Sequence, residues 1–424
     1  MNAVLQTNND KRALVVGLGT TGLSCVRYLN ARGFEVTGVD SRATPPEAGR
    51  IEREFPTVHL HRGALKAELF DAPGLLVVSP GVSLKEPALA RAMARGTQAI
   101  GDIELFAREA KAPVLAITGS NGKSTVTALA GEMCRAAGLK ALVGGNIGVP
   151  ALALLDEPTP DVYVLELSSF QLETTHSLDA RAATVLNLSP DHMDRYASLV
   201  DYAAAKARIF RGTGIMVLNA DDPTVMAMQL PGRTYLRFGL GQPASKSDYG
   251  IADHGGAQWL ARGDELIMPV AEVPLAGRHN LVNVLAAMAV SSVSGATPSA
   301  QRAAVRAFRG LPHRTQLIAE RDGVQWINDS KGTNVGATVA ALNGMTRRVI
   351  LIAGGDGKGQ DFAELRDAVA AHARAVVLIG RDARLIESVL GGVAPVIHAR
   401  DMREAVQRAR TAAQVGDAIL LSPA

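Results

Sequence analysis

The stretch that decides the fold is Val114-Leu115-Ala116-Ile117-Thr118-Gly119-Ser120-Asn121-Gly122-Lys123-Ser124-Thr125. An apolar run of strand length leads into a loop bounded by two glycines, and a helical period follows. The backbone N–H groups of Gly119, Ser120, Asn121 and Gly122 can wrap phosphate oxygens. Lys123 can bring a positive charge to the β- and γ-phosphates of a nucleotide, and Ser124 can ligate Mg²⁺. The standard phosphate-binding loop has four residues between its glycines where this one has two, so a purely structural turn is the alternative. We interpret the stretch, including Thr125, as an ATP-binding site.

The same alternation of β-branched runs and alanine-rich helical periods continues on both sides of this stretch, and it indicates parallel α/β sheets. We predict strands at 13–16, 35–39, 75–79, 114–118, 162–167, 183–188, 349–353, 375–379 and 418–421. Breaks after Gly101 and at Arg309-Gly310-Leu311-Pro312 predict three domains, 1–101, 102–310 and 311–424. Residues 231–273 suggest a small antiparallel addition to the central sheet. The predicted fold is α/β, with Rossmann-like domains at both ends and a P-loop ATPase-type parallel sheet between them.

Composition limits the classes of function. At about 150 residues per domain, 424 residues correspond to about three domains. The net charge is only +3, from 44 basic and 41 acidic groups, and aromatic residues make up 4%, so we expect no nucleic-acid partner. Cys25 and Cys134 are too few for a disulfide framework, and we predict buried thiols. The polar N-terminus and the lack of long apolar runs predict a cytoplasmic protein without membrane insertion.

A second glycine motif lies near the N-terminus. Val15-Val16-Gly17-Leu18-Gly19-Thr20-Thr21-Gly22 places G-x-G-x-x-G between a strand and a helix, and Asp40 ends the next strand. The glycines allow close approach of a pyrophosphate, and an acidic residue in this position can accept a ribose hydroxyl. These residues predict binding of a nucleotide diphosphate but do not identify the nucleotide, and a tight turn alone is the alternative.

Polar residues also follow the strands after the phosphate loop. Glu166 and His192 lie in the segments at the carboxyl ends of the next two strands along the chain, so they can converge beside the Mg²⁺ expected near Lys123. A histidine in such a loop is also commonly a hydrogen-bonded structural residue. From spacing alone, Lys206 on its helix is best interpreted as a solvated lysine.

The last third carries a further polar cluster, made of Leu311-Pro312-His313-Arg314, 328–334 and 353–358. Charged and small residues directly after strands suggest a site facing the phosphate loop across a cleft. Arg314 and Lys358 suit a carboxylate or phosphate, although either could be an ordinary surface cation. The residues by themselves indicate ATP and an anionic second substrate.

Taken together, these motifs resemble the Mur ligases over residues 15–424. The resemblance rests on Thr-Gly-Ser-Asn-Gly-Lys-Ser-Thr (118–125), Gly-Gly-Asn-Ile-Gly (144–148), Leu-Glu-Leu-Ser-Ser-Phe-Gln-Leu-Glu (165–173), Asp-His-Met-Asp-Arg-Tyr (191–196), Gly-Arg-His-Asn-Leu-Val-Asn (277–283) and the last polar cluster. A phosphate loop of this short form is normal in that family. Ser79-Pro80-Gly81 and Asp-His-Met-Asp-Arg-Tyr favour the member that adds D-glutamate over its sister ligases.

The resemblance implies a role for individual residues. The first glycine motif would hold the uridine diphosphate of the substrate, UDP-N-acetylmuramoyl-L-alanine. The positions matching that substrate site are Thr20, Thr21, Ser41, Arg42, Gly81 and Asn146, with Ser168 and His192 reaching toward the reacting carboxylate. Ser124 and Glu166 would ligate one Mg²⁺, and Glu166 and His192 would lie near a second. A carbamylated Lys206 would support the second ion, which replaces the solvated interpretation of this lysine. Asn280, Asn283, Asp329 and Lys331 would complete the ATP site, and His313, Arg314 and Lys358 would bind D-glutamate.

The implied reaction is ATP-dependent ligation through an acyl phosphate, in peptidoglycan precursor synthesis, by a monomer. Because the nucleotide and amino-acid groups lie on different domains, we predict that the C-terminal domain closes onto the central one before chemistry. The alternatives are a Mur-type ligase for another amino acid, an NAD-dependent oxidoreductase using the first glycine motif, and a nucleotide-gated sensor without catalysis.

The C-terminal end carries a separate expectation. The strand predicted at 418–421 has no helix after it, and the family's remaining D-glutamate contacts lie in a following loop and helix. We therefore expect the native protein to be longer, by roughly the few tens of residues that a loop and helix need.

Overall fold

The computed structural model describes residues 11–71, 74–275, 277–357 and 359–424, so the predicted D-glutamate residue Lys358 lies outside the described residues. Over these ranges the chain forms three sheets, one after another along the sequence, with helices between the strands. The α/β class and the succession of three sheet-centred domains agree with the prediction.

The first sheet is parallel throughout, with strand order β3-β2-β1-β4-β5 among the described residues. Its strands are β1 (Arg12–Val16), β2 (Glu35–Asp40), β3 (His59–Arg62), β4 (Leu75–Val78) and β5 (Ala99–Ile100). Its helices are α1 (Thr20–Ala31), α2 (Ala48–Glu54) and α3 (Pro87–Ala94), with a 3₁₀ turn at Ala67–Phe70. The chain reverses direction of winding between β1 and β4, which is where open α/β sheets bind ligands.

The central sheet has the order β14-β13-β12-β11-β10-β9-β6-β8-β7 in the part of the chain that is described. Its strands are β6 (Val114–Thr118), β7 (Ala141–Gly145), β8 (Val162–Glu166), β9 (Ala182–Val185), β10 (Ile215–Asn219), β11 (Tyr235–Phe238), β12 (Tyr249–His254), β13 (Ala257–Arg262) and β14 (Glu265–Pro269). The antiparallel addition is confirmed but is confined to β12, β13 and β14, because β11 still pairs in parallel with both neighbours.

Helices cover both faces of the central sheet, and one of them also packs against the first sheet. They are α4 (Asp102–Glu109), α5 (Lys123–Ala136), α6 (Ser169–Glu173), α7 (Leu199–Ala207), α8 (Pro223–Met226), α9 (Arg278–Ser292) and α10 (Pro298–Ala307), with 3₁₀ turns at Ala151–Asp156, Arg208–Phe210 and Val270–Glu272. One face of the sheet packs on α5 and α9, and the other shares a continuous apolar core with the first sheet through α4.

The third sheet has the order β15-β16-β20-β17-β18-β19 within the described ranges, and all its pairs are parallel except β15 with β16. Its strands are β15 (Gln316–Arg321), β16 (Val324–Asn328), β17 (Val349–Gly354), β18 (Ala373–Ile379), β19 (Val396–His398) and β20 (Ala418–Leu421). Its helices are α11 (Val335–Asn343), α12 (Leu365–His372), α13 (Ala383–Leu390) and α14 (Met402–Ala412).

The phosphate loop joins β6 to α5 at the carboxyl edge of the central sheet. All five residues of β6 are buried, as expected for a strand covered on both faces. Gly122 caps α5 at a φ of 83°, in the left-handed region, and a Cβ there would lie 2.2 Å from Asn283 Oδ1. Glycine is therefore required for both conformation and space, and it lets α9 approach the loop.

Two simpler expectations can also be compared with the structure. Cys25 in α1 and Cys134 in α5 are buried free thiols, and burial raises the pKa of both. Among the described helices, none combines the length and the apolar character that crossing a membrane requires.

Candidate active site

The lysine of the phosphate loop is held by its own loop. Lys123 Nζ donates to the carbonyl oxygens of Gly119 and Ser120, at 2.9 Å each. Burial lowers the pKa of Lys123, while the nearby carboxylates of Glu166 and Asp191 act in the opposite direction. The side chain is thus anchored where successive loop N–H groups and the start of α5 form an anion-binding turn.

Lys206 on α7 is buried, with only 1% of its surface exposed. Its Nζ donates to Gly119 O at 2.8 Å and lies 4.5 Å from the centre of the Tyr202 ring. Burial, and next the charge of Lys123, lower the pKa of Lys206 well below its ordinary value. The interpretation of Lys206 as a solvated lysine is wrong, because α7 packs against the carboxyl edge of the sheet and this helix face points inward.

Glu166 ends β8 beside the phosphate loop, and its carboxylate is buried. Asn146 Nδ2 donates to Glu166 Oε1 at 2.7 Å, whereas Oε2 is sealed from solvent and has no hydrogen-bond partner. A buried carboxylate oxygen without a donor is costly unless a cation or a further donor meets it. Glu166 therefore fits the predicted Mg²⁺ ligand, since carboxylate oxygen suits this hard ion.

His192 lies in the loop after β9, in a strained backbone conformation with a φ of 57°. Its ring packs edge-on against Phe170 at 4.9 Å between centroids, and its side chain remains 35% exposed. The neighbouring Asp191 is buried, and its Oδ1 accepts the backbone N–H of His192 at 3.0 Å. The strain and the carboxylate fix His192 at the edge of the site.

Within the described residues, no three His, Cys, Asp or Glu side chains stand close enough together to hold a metal ion alone. The predicted donor set also includes the Ser124 hydroxyl and a modified Lys206, which are not of those types. Substrate phosphate oxygens commonly complete Mg²⁺ sites of this kind.

A cavity of about 920 Å³ lies between the central and C-terminal sheets. Seven of the residues predicted for the ATP site line it: Asn121, Gly122, Thr125, Asn280, Asn283, Asp329 and Lys331. Asn283 Nδ2 donates to Asn280 Oδ1 at 3.2 Å on the first turn of α9. The structure therefore brings together predicted residues from three separate stretches, in a space adjoining the phosphate loop.

Asp329 organises the segment that enters the C-terminal sheet. Its Oδ1 accepts Thr315 N–H at 2.9 Å, and its Oδ2 accepts Ser422 Oγ at 2.8 Å. Burial raises the pKa of Asp329, and these hydrogen bonds oppose the rise. His313 and Thr315 have φ values of 64° and 44°, so this carboxylate holds a tightly turned connection.

Arg314, predicted for D-glutamate, reaches the phosphate loop instead of a separate pocket. Its Nη2 donates to Ser124 Oγ at 2.7 Å, and the residue lines the cavity. His313 is exposed and its Nδ1 lies 2.8 Å from Asn328 Nδ2. The two adjacent residues thus face different surroundings.

Ser168 is held by a capping box at the start of α6. Gln171 N–H donates to Ser168 Oγ at 3.1 Å, and Gln171 Oε1 accepts Ser168 N–H at 3.0 Å. Gln171 Nε2 then donates to Asp102 Oδ2 in α4 at 2.9 Å. Burial raises the pKa of Asp102 to about 6. Ser168 is therefore positioned by a chain of hydrogen bonds that ends at the buried Asp102.

The residues predicted for the UDP substrate, except Asn146 beside Glu166, lie at one edge of the first sheet. Thr20 and Thr21 open α1, Ser41 and Arg42 follow β2, and Gly81 follows β4. Asp40 Oδ2 accepts Leu18 N–H at 2.7 Å and pairs with Arg42. Burial would raise the pKa of Asp40, but the hydrogen bonds from Arg42 and Leu18 hold it at about 2. The Asp40 carboxylate thus holds the glycine-rich loop in place through its hydrogen bond with Leu18.

Three family models match the chain in succession. The Mur ligase MurD-like N-terminal domain matches residues 11–101, the Mur ligase middle domain 117–291, and the Mur ligase glutamate ligase domain 313–424. The chain belongs to the Mur ligase family. The resemblance inferred from the motifs is confirmed, and family membership identifies this Mur ligase as an ATP-dependent, amide-bond-forming enzyme.

Relatives of this Mur ligase match along nearly its whole length. It is 53% identical over 426 residues to the UDP-N-acetylmuramoylalanine–D-glutamate ligase of Nitrosococcus oceani, covering 100% of this chain and 94% of that protein. The ligase of the same name from Methylobacillus flagellatus is 54% identical over 418 residues, covering 98% and 92%. The one from Pseudomonas aeruginosa is 48% identical over 420 residues, covering 98% and 93%.

Solved structures share the fold of this Mur ligase at low sequence identity. A pseudomurein peptide ligase type C from Methanothermus fervidus has a TM-score of 0.61 at 18% identity, covering 97% of both chains. UDP-N-acetylmuramate-alanine ligase from Thermotoga maritima has a TM-score of 0.61 at 18% identity, covering 97% of this chain and 94% of that chain. These likenesses concern the fold alone.

Two residues that the structure brings to the site stand in the quoted motifs of this Mur ligase but were given no role from the sequence. The carboxylate of Asp191 is close enough to Lys123 and Lys206 to favour the charged form of both amines. In the sequence, its place next to His192 was the one indication that it belongs to the site. Asn334 caps α11 and contacts the phosphate loop, but a helix cap in a distant segment gives no indication of that partner.

Proposed function

We propose that this Mur ligase joins D-glutamate to UDP-N-acetylmuramoyl-L-alanine with hydrolysis of ATP to ADP and phosphate. The observation that carries the proposal is the meeting of Lys123, Glu166 and Lys206 around one phosphate loop, beside a nucleotide-sized cavity. Asp191, which precedes His192, is close enough to act on the charges of both lysines. The choice of D-glutamate is supported by the shared name of relatives about 50% identical over nearly the full chain.

The chemical problem is that a carboxylate is a poor electrophile toward an amine. In the proposed reaction, a carboxylate oxygen of the alanyl group attacks the γ-phosphorus of ATP, and ADP leaves. The amine of D-glutamate then attacks the acyl phosphate, and a tetrahedral intermediate expels inorganic phosphate to leave the amide. Because two anions meet in the first step, Lys123 and the loop N–H groups lower its barrier by offsetting negative charge.

Arg314 has a place in the same step. Its hydrogen bond to Ser124 Oγ supports a role against the ATP phosphates, in addition to or instead of the predicted role in binding D-glutamate. Guanidinium groups suit either anion, so the position of the group decides between them. His313 and Lys358 stay as predicted contacts for the amino acid.

Two Mg²⁺ ions fit the donor groups that the chain provides. Ser124 and Glu166 would hold one ion, and His192 with a carbamylated Lys206 would support the other. When bound, Mg²⁺ neutralises phosphate charge and polarises the phosphoryl oxygens. The unpartnered Glu166 Oε2 supports this assignment.

Carbamylation of Lys206 is consistent with its surroundings. A neutral amine adds CO₂ to form a carbamate and releases one proton, so a lysine with a lowered pKa is the suitable substrate. Burial and the neighbouring Lys123 lower the pKa of Lys206 in this way. If the carbamate carries the function, activity of Lys206→Ala should be partly restored by short carboxylic acids. Failure of rescue with unchanged Mg²⁺ binding would argue against the modification.

The remaining parts of the proposal follow the sequence predictions. Thr20, Thr21, Ser41, Arg42, Gly81 and Asn146 would hold the UDP substrate, with Ser168 near its carboxylate. Domain boundaries at 1–101, 102–310 and 311–424, a monomeric state and a cytoplasmic location remain predictions.

A coupled ADP-release assay tests the proposal directly. With UDP-N-acetylmuramoyl-L-alanine present, D-glutamate should stimulate ADP release, whereas L-alanine, L-lysine and meso-diaminopimelate should not. Stimulation by another amino acid would indicate a different Mur-type ligase. Absence of any stimulation would contradict the ligase proposal and favour a sensor, and NAD titration by calorimetry would test the oxidoreductase alternative.

A further inference from the structure

Asn334 connects the C-terminal domain to two loops of the central domain. Its side chain is 4% exposed, and its Oδ1 accepts Ala337 N–H at 2.8 Å, which caps α11. The cap fixes which end of the amide is oxygen, because only oxygen can accept that N–H. The Nδ2 group of Asn334 is therefore directed away from its own helix.

The amide of Asn334 forms a reciprocal pair with Asn121 of the phosphate loop. Asn334 Nδ2 donates to Asn121 Oδ1 at 3.0 Å, and Asn121 Nδ2 donates to Asn334 Oδ1 at 3.2 Å. The two residues are 213 positions apart in the sequence. Each amide is thus a donor and an acceptor for the other, and the orientation fixed by the cap is the one that allows both bonds.

The same Nδ2 group also approaches the loop that carries His192. It lies 3.4 Å from Asp191 Oδ2, which can only accept when ionised. The first turn of α11 sits close to this loop, because a Cβ on Gly336 would lie 3.0 Å from Ser189 Oγ. One side chain therefore contacts both the loop for phosphates and the loop beside the reacting carboxylate.

We propose that Asn334 is a positioning residue that fastens the C-terminal domain onto the phosphate loop and the Asp191 loop when the enzyme closes. The inference rests on the proposed function and adds a specific latch to it. Because the pair with Asn121 exists only when the domains meet, its energy favours the closed state alone. The latch therefore contributes to the reactive arrangement rather than to the stability of either domain.

Two substitutions separate the latch from the helix cap. Asn334→Asp keeps a capping oxygen but replaces Nδ2, the donor to Asn121 and Asp191, with an oxygen that can only accept when ionised. Asn334→Ser keeps a good capping group but is too short to reach Asn121, and it adds no charge. Both should lower kcat by about 10- to 100-fold, from the loss of two or three interdomain hydrogen bonds, with an unchanged melting temperature.

The matched control is Asp401→Asn, which exchanges the same two side chains at the cap of α14. Asp401 is exposed and its Oδ1 accepts Glu404 N–H at 2.8 Å, far along the chain from the interface. This control should leave kcat and the KM values unchanged. In the Asn334 variants the KM for the UDP substrate should also stay within about twofold, since its nucleotide would bind the first domain.

Small-angle scattering tests closure without requiring turnover. With a non-hydrolysable ATP analogue, Mg²⁺ and the UDP substrate, the wild type and Asp401→Asn should be more compact than the two Asn334 variants. If the wild type shows no D-glutamate-dependent ADP release, the proposed function fails, and scattering still decides the latch. Equal compaction in all four proteins, or wild-type kcat in Asn334→Ser, would overturn the inference.

Discussion

Replacement of Lys206 by methionine tests two effects of this amine separately: its effect on the stability of the fold and its role in the ligase reaction. Methionine is close to the lysine stem in size, so the substitution leaves the apolar contacts of α7 and creates little cavity. The lost hydrogen bond to Gly119 O costs about 1 kcal/mol, because Lys123 still donates to that carbonyl at 2.9 Å. The carbonyl is therefore not left unpaired.

The gain in stability comes from removing a desolvated amine. Each pKa unit below the ordinary value corresponds to about 1.4 kcal/mol of penalty at pH values where the amine is protonated in the fold. Burial lowers the pKa of Lys206, so removing the amine relieves a penalty that opposes the loss of its hydrogen bond. We expect Lys206→Met at pH 7 to be at least as stable as the wild type, whereas a buried amine that stabilises the fold would make the variant less stable. Ligase activity should fall by about 100-fold or more.

The pH dependence gives a second measurement of the same effect. Between the lowered pKa in the fold and 10.5 in the unfolded chain, the unfolded state binds more protons at Lys206. The free energy of unfolding contributed by this group therefore rises with pH across that window, and the methionine variant lacks the rise.

The assay is urea unfolding between pH 7 and pH 10 in CO₂-depleted buffer. Fluorescence of Trp259 in β13 reports the central domain when Trp326 in β16 is replaced by Phe. Lys111→Met is the matched control, since this exposed lysine should change stability by less than about 0.5 kcal/mol. A Lys206→Met protein less stable than the wild type by more than 1 kcal/mol, with an unchanged pH slope, would refute the reasoning.

Three further substitutions test other parts of the site. Glu166→Gln should lower ADP release by about 100-fold and raise the Mg²⁺ concentration needed, because a neutral amide binds Mg²⁺ weakly; an unchanged Mg²⁺ titration would argue against a metal ligand. Arg314→Ala should raise the KM for ATP about tenfold and more than the KM for D-glutamate, and the reverse order would return Arg314 to the amino-acid site. Asp102→Asn keeps an oxygen for Gln171 but removes a carboxyl whose pKa is raised to about 6, so only the wild type should lose about 2 kcal/mol from this group as pH rises from 4 to 6. Parallel pH profiles for the two proteins in urea unfolding would contradict the last expectation.

The sheets could be predicted from sequence because their signals are local. In β6 an apolar run ends just before a glycine, and the glycines of the next loop mark the start of α5. The hydrophobic pattern and the positions of glycine therefore predict the same element boundaries. The predicted antiparallel addition began too early along the chain, because the alternation in 231–273 does not distinguish the parallel β11 from the antiparallel strands beyond it.

The sequence predicted which residues belong to the site where they stand in local motifs, but it did not predict their contacts with distant segments. Lys206 shows the limit: a lysine on an alanine-rich helix is normally solvated, and only the packing of α7 against the sheet buries it. The contact of Arg314 with Ser124 spans 190 positions, and it depends on how two domains meet. Neither pattern nor composition contains that relation, and resemblance to a family supplied a role without the contact.

The charge states of the two lysines at the site depend on each other. Lys123 and Lys206 donate to the same carbonyl oxygen of Gly119, at 2.9 and 2.8 Å, so two full positive charges there would repel strongly. Lys123 has a second acceptor in Ser120 O, whereas Lys206 is the more deeply buried of the pair and its pKa is lowered by Lys123. Burial and the charge of Lys123 therefore make Lys206 the more readily deprotonated amine, which fits the proposed contact of a charged Lys123 with ATP. The shared acceptor thus supports the proposed division of roles, in which Lys123 would bind phosphate and Lys206 would form the carbamate.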